Sequence, residues 1–160
     1  LRRDITWPSD LASFDGDAMV ILDTGKDPGT LGLNRSRGSR LPVLTTSLGR
    51  AYLAFCEPAE QAEVLKHLLN FEAKQGNSKI ALNRIKRILK ETRTNGYAAG
   101  DAEYLKSTRA VAVPILVGGQ PIATVNLMVV TTAMVMAEVE DKFVQPLQLA
   151  AQQIGEALSR

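Results

Sequence analysis

STRAVAVPILVGGQPIATVNLMVV, residues 107–130, reads as two strands folded back on each other. Arg109 to Leu116 is rich in Val, Ile and Ala, and Pro121 to Val130 continues in the same style. Gly118-Gly119 between them supplies the two positive-φ positions of a tight hairpin turn. Each arm is almost continuously apolar, so both faces are expected to be covered, or one edge shielded by helices. Thr124 and Asn126 lie two residues apart on the second arm and share a face. A buried amide in so apolar a strand needs hydrogen-bond partners, which makes Asn126 a candidate for a pocket as well as for a structural contact.

Working outward, 160 residues with 45% hydrophobic and 22% charged content suit one globular domain with a proper core. A net charge of +2 gives no argument for nucleic acid or a membrane surface as partner. Cys56 is the single cysteine, so no internal disulfide forms, as suits a reducing, cytoplasmic setting. His67 is the single histidine; one Cys and one His cannot build a zinc site, and a Ser-His-Asp device would have to use His67. No metal or cofactor is expected. There is no signal peptide, and no apolar run approaches the ~18 residues of a membrane span. The chain opens at Leu1, mid-pattern, and is expected to be a domain cut from a longer protein.

Upstream of the hairpin, Leu1 to Ile5 looks like the tail of a helix that Trp7-Pro8 ends. Leu11–Phe14 and Ala18–Asp23 form a candidate hairpin around Asp15-Gly16-Asp17. Thr24–Gly29 is a second turn and Thr30–Asn34 a short third strand. Asn34–Arg40 carries three arginines and no apolar residue; an anion contact is the functional reading, a solvated loop the plain and preferred one. Leu41-Pro42 closes it. From Val43 to Cys56, Thr46 or Ser47 is a good N-cap and Leu48, Ala51, Tyr52 and Phe55 recur at helical spacing. The first turn of such a helix offers free backbone N–H groups to a carboxylate.

Pro58 starts a helix to about Leu69, and Lys79 to about Asn95 is another, with Ala81, Ile85, Ile88, Leu89 and Thr92 buried and Gly96 beyond its end. The basic outer face of the second helix reads as solvated rather than DNA-binding. Residues 96–105 form a loop or irregular strand; Asp101 and Glu103 there lack the partners that acid–base catalysis needs. A last helix follows Met136, with Phe143, Leu147, Ala150, Ile154 and Leu158 along one face and Pro146 kinking it or marking its first turn. The sum is α+β: a curved antiparallel sheet with helices on it and a small-molecule pocket between.

The stretches RLPVLTTSLGRAYLAF (residues 40–55), NGY (95–97), STRAVAVPI (107–115) and PIATVNL (121–127), in this order, resemble the effector-binding domain of IclR-type transcriptional regulators. WPSDLASFDGDAMV (7–20), LAFC (53–56) and VNLMVVTTAM (125–134) look like the members that activate hydroxyphenylpropionate catabolism. The resemblance implies a GAF-like sensor, a winged helix-turn-helix DNA-binding domain preceding Leu1, and pairing into dimers or tetramers. It implies a small carboxylate effector held at the positions matching Ser47, Leu48, Gly100, Asp101, Thr108, Ala110, Asn126 and Met128. Ala110 stands where the family often has Cys, and Met128 replaces a small hydroxyl residue. Both exchanges favour an aromatic or longer acid, with Trp7 or Phe14 as a stacking wall, and Asn126→Ala is expected to weaken binding with little change in folding. Two other readings compete: an enzyme of small carboxylates using Asp101, Glu103 or Cys56, and a GAF-like sensor outside transcription.

Overall fold

The computed structural model describes every residue except 2, 4, 26–34 and 76–81. The elements run β1 (Ser9–Asp15), β2 (Ala18–Gly25), β3 (Arg40–Pro42), α1 (Ser47–Phe55), α2 (Pro58–Lys74), α3 (Leu82–Asn95), β4 (Ala98–Asp101), β5 (Thr108–Val117), β6 (Gln120–Val130) and α4 (Met136–Leu158). The strands form one antiparallel, curled sheet in the order β3-β2-β1-β6-β5-β4. The class is α+β, as the alternation of strands and helices implies.

The β5–β6 hairpin organises both layers. Its turn is Gly118-Gly119 at φ 59° and 79°, a conformation that a residue with a Cβ resists. Strand alternation then sorts the side chains. Val111, Val113, Ile115, Val125, Leu127 and Val129 pack on Val139, Phe143, Leu147 and Ala151 of α4. On the opposite face, Ala112 and Ala98 join Leu48, Ala51 and Leu53 of α1, with Leu65 and Leu68 of α2 and Ile85 and Leu89 of α3 behind. Both faces of the hairpin are therefore covered, as its apolar arms require. Gly49 lets α1 settle: a Cβ there would lie 2.1 Å from the Val43 carbonyl oxygen.

Several expectations shift. The third strand expected at Thr30–Asn34 lies outside the described residues, as does part of the Thr24–Gly29 turn. The described third strand is Arg40–Pro42, paired with β2 from Ala18 to Val20. Its three residues are too short for a period-2 pattern to register. The helix from Pro58 runs to Lys74 rather than Leu69, and the Lys79 start of the next lies outside the described residues. Residues 98–101 are a regular strand on the sheet edge. On α4, the buried stripe is Val139, Phe143, Leu147, Ala151 and Gly155, whereas Ile154 and Leu158 are exposed. The larger apolar residues had set the expected phase, but the helix approaches the sheet through small ones: a Cβ on Gly155 would lie 2.4 Å from the Leu116 carbonyl oxygen. Pro146 sits inside the helix, not in its first turn.

Candidate functional site

Hydrogen-bonded neighbours carry the site across the sheet. Gly100 on β4 pairs with Ala110 on β5, which pairs with Met128 on β6. Thr108 lies two residues along β5 on the same face, and Asn126 lies two residues along β6. Gly100 and Ala110 are small, so a hollow remains above the strands, and the first turn of α1 closes over it. There Thr46 is the N-cap: its Oγ1 accepts from the Gly49 N–H (3.2 Å) and donates to the Pro42 carbonyl (2.6 Å). The N–H groups of Ser47 and Leu48 have no partner within the helix and lie beside the hollow, where the helix end favours negative charge.

A loop roofs it. Ala102 at φ 54° turns the chain off β4, and Glu103, Tyr104 and Leu105 pass over the opening. Arg50 on α1 holds Glu103 in a forked ion pair and donates through Nε to the Leu44 carbonyl at 2.9 Å. The Arg50 fork keeps the Glu103 carboxyl below its ordinary range. Asp101 turns away to Arg109 Nε at 2.7 Å and is exposed. The two acids are thus each bound to an arginine and do not form a catalytic pair.

The cavity is lined by every residue of the expected set except Asp101, together with Arg35, Leu41, Thr45, Thr46, Glu103, Tyr104 and Leu105. Asn126 is buried, and its Oδ1 accepts the Asp10 backbone N–H at 2.8 Å. Its Nδ2 makes no hydrogen bond among the described residues. Met128 forms part of the floor. Neither expected aromatic wall lines the cavity: Phe14 stacks on Tyr52 with ring centroids 4.6 Å apart, and Trp7 packs with the α4-side core. Tyr104 is the aromatic residue at the opening.

Arg35 departs from the solvated reading preferred for its loop. The loop expected to be solvated sends its first arginine inward: Nη1 donates to Asp10 Oδ2 at 2.6 Å and to the Met128 sulfur at 3.1 Å. The guanidinium carbon lies 5.9 Å from the centre of the Tyr104 ring. Arg37 and Arg40 behave as expected, pairing with Asp23 and with Asp15 and Asp17 at the exposed surface. With Arg35 and Tyr104 in place the space left is about 30 Å³, one water's share of liquid volume. Sites for drug-sized ligands start at ~300 Å³, so a ligand of that size needs lining side chains to move.

Of the residues weighed for catalysis, Glu103 lines this cavity, held by Arg50, whereas Cys56 and His67 are not among its lining residues. Cys56 is buried, its thiol pushed up to about 11 chiefly by burial, with Glu60 adding to it. His67 is exposed on α2. No cluster of His, Cys, Asp and Glu suited to a metal occurs among the described residues, and none of their helices is long and apolar enough to cross a membrane.

The family model described as Bacterial transcriptional regulator IclR C-terminal matches residues 3–156. The chain is 26% identical to the Pca regulon regulatory protein of Pseudomonas putida over 145 residues, which is 89% of this chain and 49% of that protein. It spans about half the length of the curated relatives it matches. Among solved structures, the Thermotoga maritima IclR superposes with a TM-score of 0.86 at 24% identity, covering 99% of this chain and 64% of that one. The inducer-binding domain of PobR from Acinetobacter, a double mutant complexed with 3-hydroxybenzoic acid, gives a TM-score of 0.77 at 19% identity over 96% of this chain and 89% of that one. These likenesses place the curled six-stranded sheet and four helices in the expected GAF-like fold.

Proposed function

Since this chain belongs to the IclR-type bacterial transcriptional regulators, matching their C-terminal domain, we propose that it senses a small aromatic carboxylate and relays its presence to DNA through a winged helix-turn-helix domain outside these residues. The observation that carries this is the gathering of hydrogen-bond donors around one hollow. The N–H groups of Ser47 and Leu48, the Asn126 Nδ2 and the Arg35 guanidinium border one hollow, whose only carboxylate, Glu103, is already held by Arg50. Such a set favours an anion. Tyr104, Leu48, Leu41, Ala110 and Met128 supply apolar surface for a ring. The 3-hydroxybenzoic acid in the PobR domain supports an aromatic acid; a hydroxyphenylpropionate is the specific candidate, on the resemblance of residues 7–20, 53–56 and 125–134.

The job is coupling, not turnover. An effector shifts the protein only by binding one arrangement better than another. Pairing of these domains into dimers or tetramers is the natural carrier, and the exposed Leu149, Ile154 and Leu158 of α4 give such pairing apolar surface. The proposed setting is the cytoplasm, beside the DNA. The test is a thermal-shift screen with glyoxylate, pyruvate, protocatechuate, 3-hydroxybenzoate and hydroxyphenylpropionate. A ligand ~100-fold above its Kd adds about 2.7 kcal/mol of stability. Shifts with the aromatic acids alone support the reading; shifts with the oxo-acids alone overturn the aromatic part, and a wholly inert panel overturns the carboxylate.

A further inference from the structure

Arg35 is nine-tenths buried, with 9% of its side chain exposed, and its counter-ion Asp10 is 1% exposed. A guanidinium has five N–H donors in a planar fork. Here only Nη1 is engaged, on Asp10 and the Met128 sulfur; Nε and Nη2 make no hydrogen bond among the described residues. An edge that faces the cavity without an acceptor gains little, and Asp10 Oδ1 beside it is buried with no partner of its own among the described residues. A thioether is a weak acceptor, and Met128 compensates little. The group most able to satisfy the free Nε–Nη2 edge is a second carboxylate, which meets it with two parallel bonds.

We propose that Arg35 is the specificity-determining residue of the effector site, receiving the effector's carboxylate on its Nε–Nη2 edge while Asp10 keeps Nη1. This rests on the reading of the chain as a carboxylate sensor and deepens it. Asp10 is then a positioning residue with two duties. Its carboxylate orients Arg35, and its backbone N–H fixes Asn126 Oδ1, leaving Asn126 Nδ2 to the cavity. One residue of β1 so aligns the two side chains that distinguish an acid from its neutral analogue. The guanidinium lies at the hollow between Met128 and the Tyr104 ring. Entry of an aromatic acid exchanges those contacts for carboxylate and ring contacts.

The experiment compares each of 3-hydroxybenzoate, protocatechuate and 3-(3-hydroxyphenyl)propionate with its primary amide, by calorimetric titration of this chain. Arg35→Gln and Arg35→Lys are measured beside the native protein, with melting curves to establish that each variant is folded. The native chain should prefer an acid to its amide. Arg35→Gln should lose about 10- to 100-fold in affinity for the acid, the span of a hydrogen bond to a charged group, while affinity for the amide changes little. Arg35→Lys, which keeps the charge but not the fork, should fall between. Acid affinity unchanged in folded Arg35→Gln, or an equal loss for acid and amide, overturns the assignment of Arg35 alone. If none of the acids binds the native chain, the sensor reading falls and this proposal falls with it.

Discussion

Arg50 and Glu103 meet through both arms of each group, Nη1 to Oε1 at 2.9 Å and Nη2 to Oε2 at 2.6 Å. The arginine is buried in α1, whereas the glutamate belongs to the loop over the hollow and is 32% exposed. The contact therefore ties a mobile type of element, a surface loop, to the rigid scaffold beneath it. Replacing Glu103 by Gln leaves a buried guanidinium without its counter-charge. Solvent at the glutamate screens the pair, so the expected loss is about 1–2 kcal/mol near pH 7, read from urea unfolding. The folded carboxyl titrates below its ordinary value of 4.5. The contribution is thus complete above that value and fades as pH falls through the lower, folded one. The stability gap between native and Glu103→Gln protein should narrow from pH 6 to pH 3; a constant gap would remove the charge from the account.

Asn126 has a heavier role than its place on an apolar strand implies. It was expected to be replaceable with little effect on folding, yet its Oδ1 is the acceptor for the Asp10 N–H, and both residues are buried. Asn126→Ala orphans that donor, with a cost of about 1–2 kcal/mol. The variant should melt lower than the native chain and also lose affinity for the acids named above. Chemical denaturation and titration on the same sample separate the two effects: native stability with weakened binding would show that the Asp10 bond carries nothing.

The parts of this molecule legible in its sequence are those fixed by neighbours in the chain. Gly118-Gly119 announced the hairpin, Thr46 announced the start of α1, and Gly96, at φ 81°, announced the end of α3. The site residues followed from resemblance, and the cavity gathers them apart from Asp101. What escaped depends on distant contacts. Arg35 sits in a polar stretch that reads as solvated, and contacts distant in sequence, with Asp10, Met128 and Tyr104, draw it inward. Asp10 itself gives no sign in sequence, because a single acid at the start of an edge-like strand looks like surface. The α4 stripe was misjudged for a related reason: period counting favours large apolar residues, whereas close approach to the Leu116 backbone selects Gly155.

Gly49 and Gly118 test two separate reasons for a glycine. At Gly49 a Cβ would lie 2.1 Å from the Val43 carbonyl oxygen and 2.4 Å from its Cα. Backbone cannot rotate away as a side chain does, so α1 must shift off the sheet. At Gly118 nothing lies within 4 Å and only the positive φ resists substitution. Gly118→Ala should cost about 1 kcal/mol. Gly49→Ala should cost about 3 kcal/mol, at the upper end of overpacking, and should loosen the first turn of α1. Urea midpoints rank the two. Equal losses would mean that α1 has more freedom over Val43 than the structure gives it.

Cys56 separates a sensor from a thiol enzyme. Its Sγ donates to the Leu53 carbonyl at 3.3 Å and the residue is 1% exposed. Burial, with Glu60 beside it, lifts the thiol to about 11, whereas nucleophilic cysteines are held low by nearby positive charge. At pH 8 the folded chain should hold almost no thiolate and react with Ellman's reagent only as fast as it opens. In guanidinium chloride the same residue should react fully and at once. The folded-state rate should keep rising up to about pH 11, since thiolate gains continue to that point. A plateau near pH 7 would mean an activated thiol and would return catalysis to consideration.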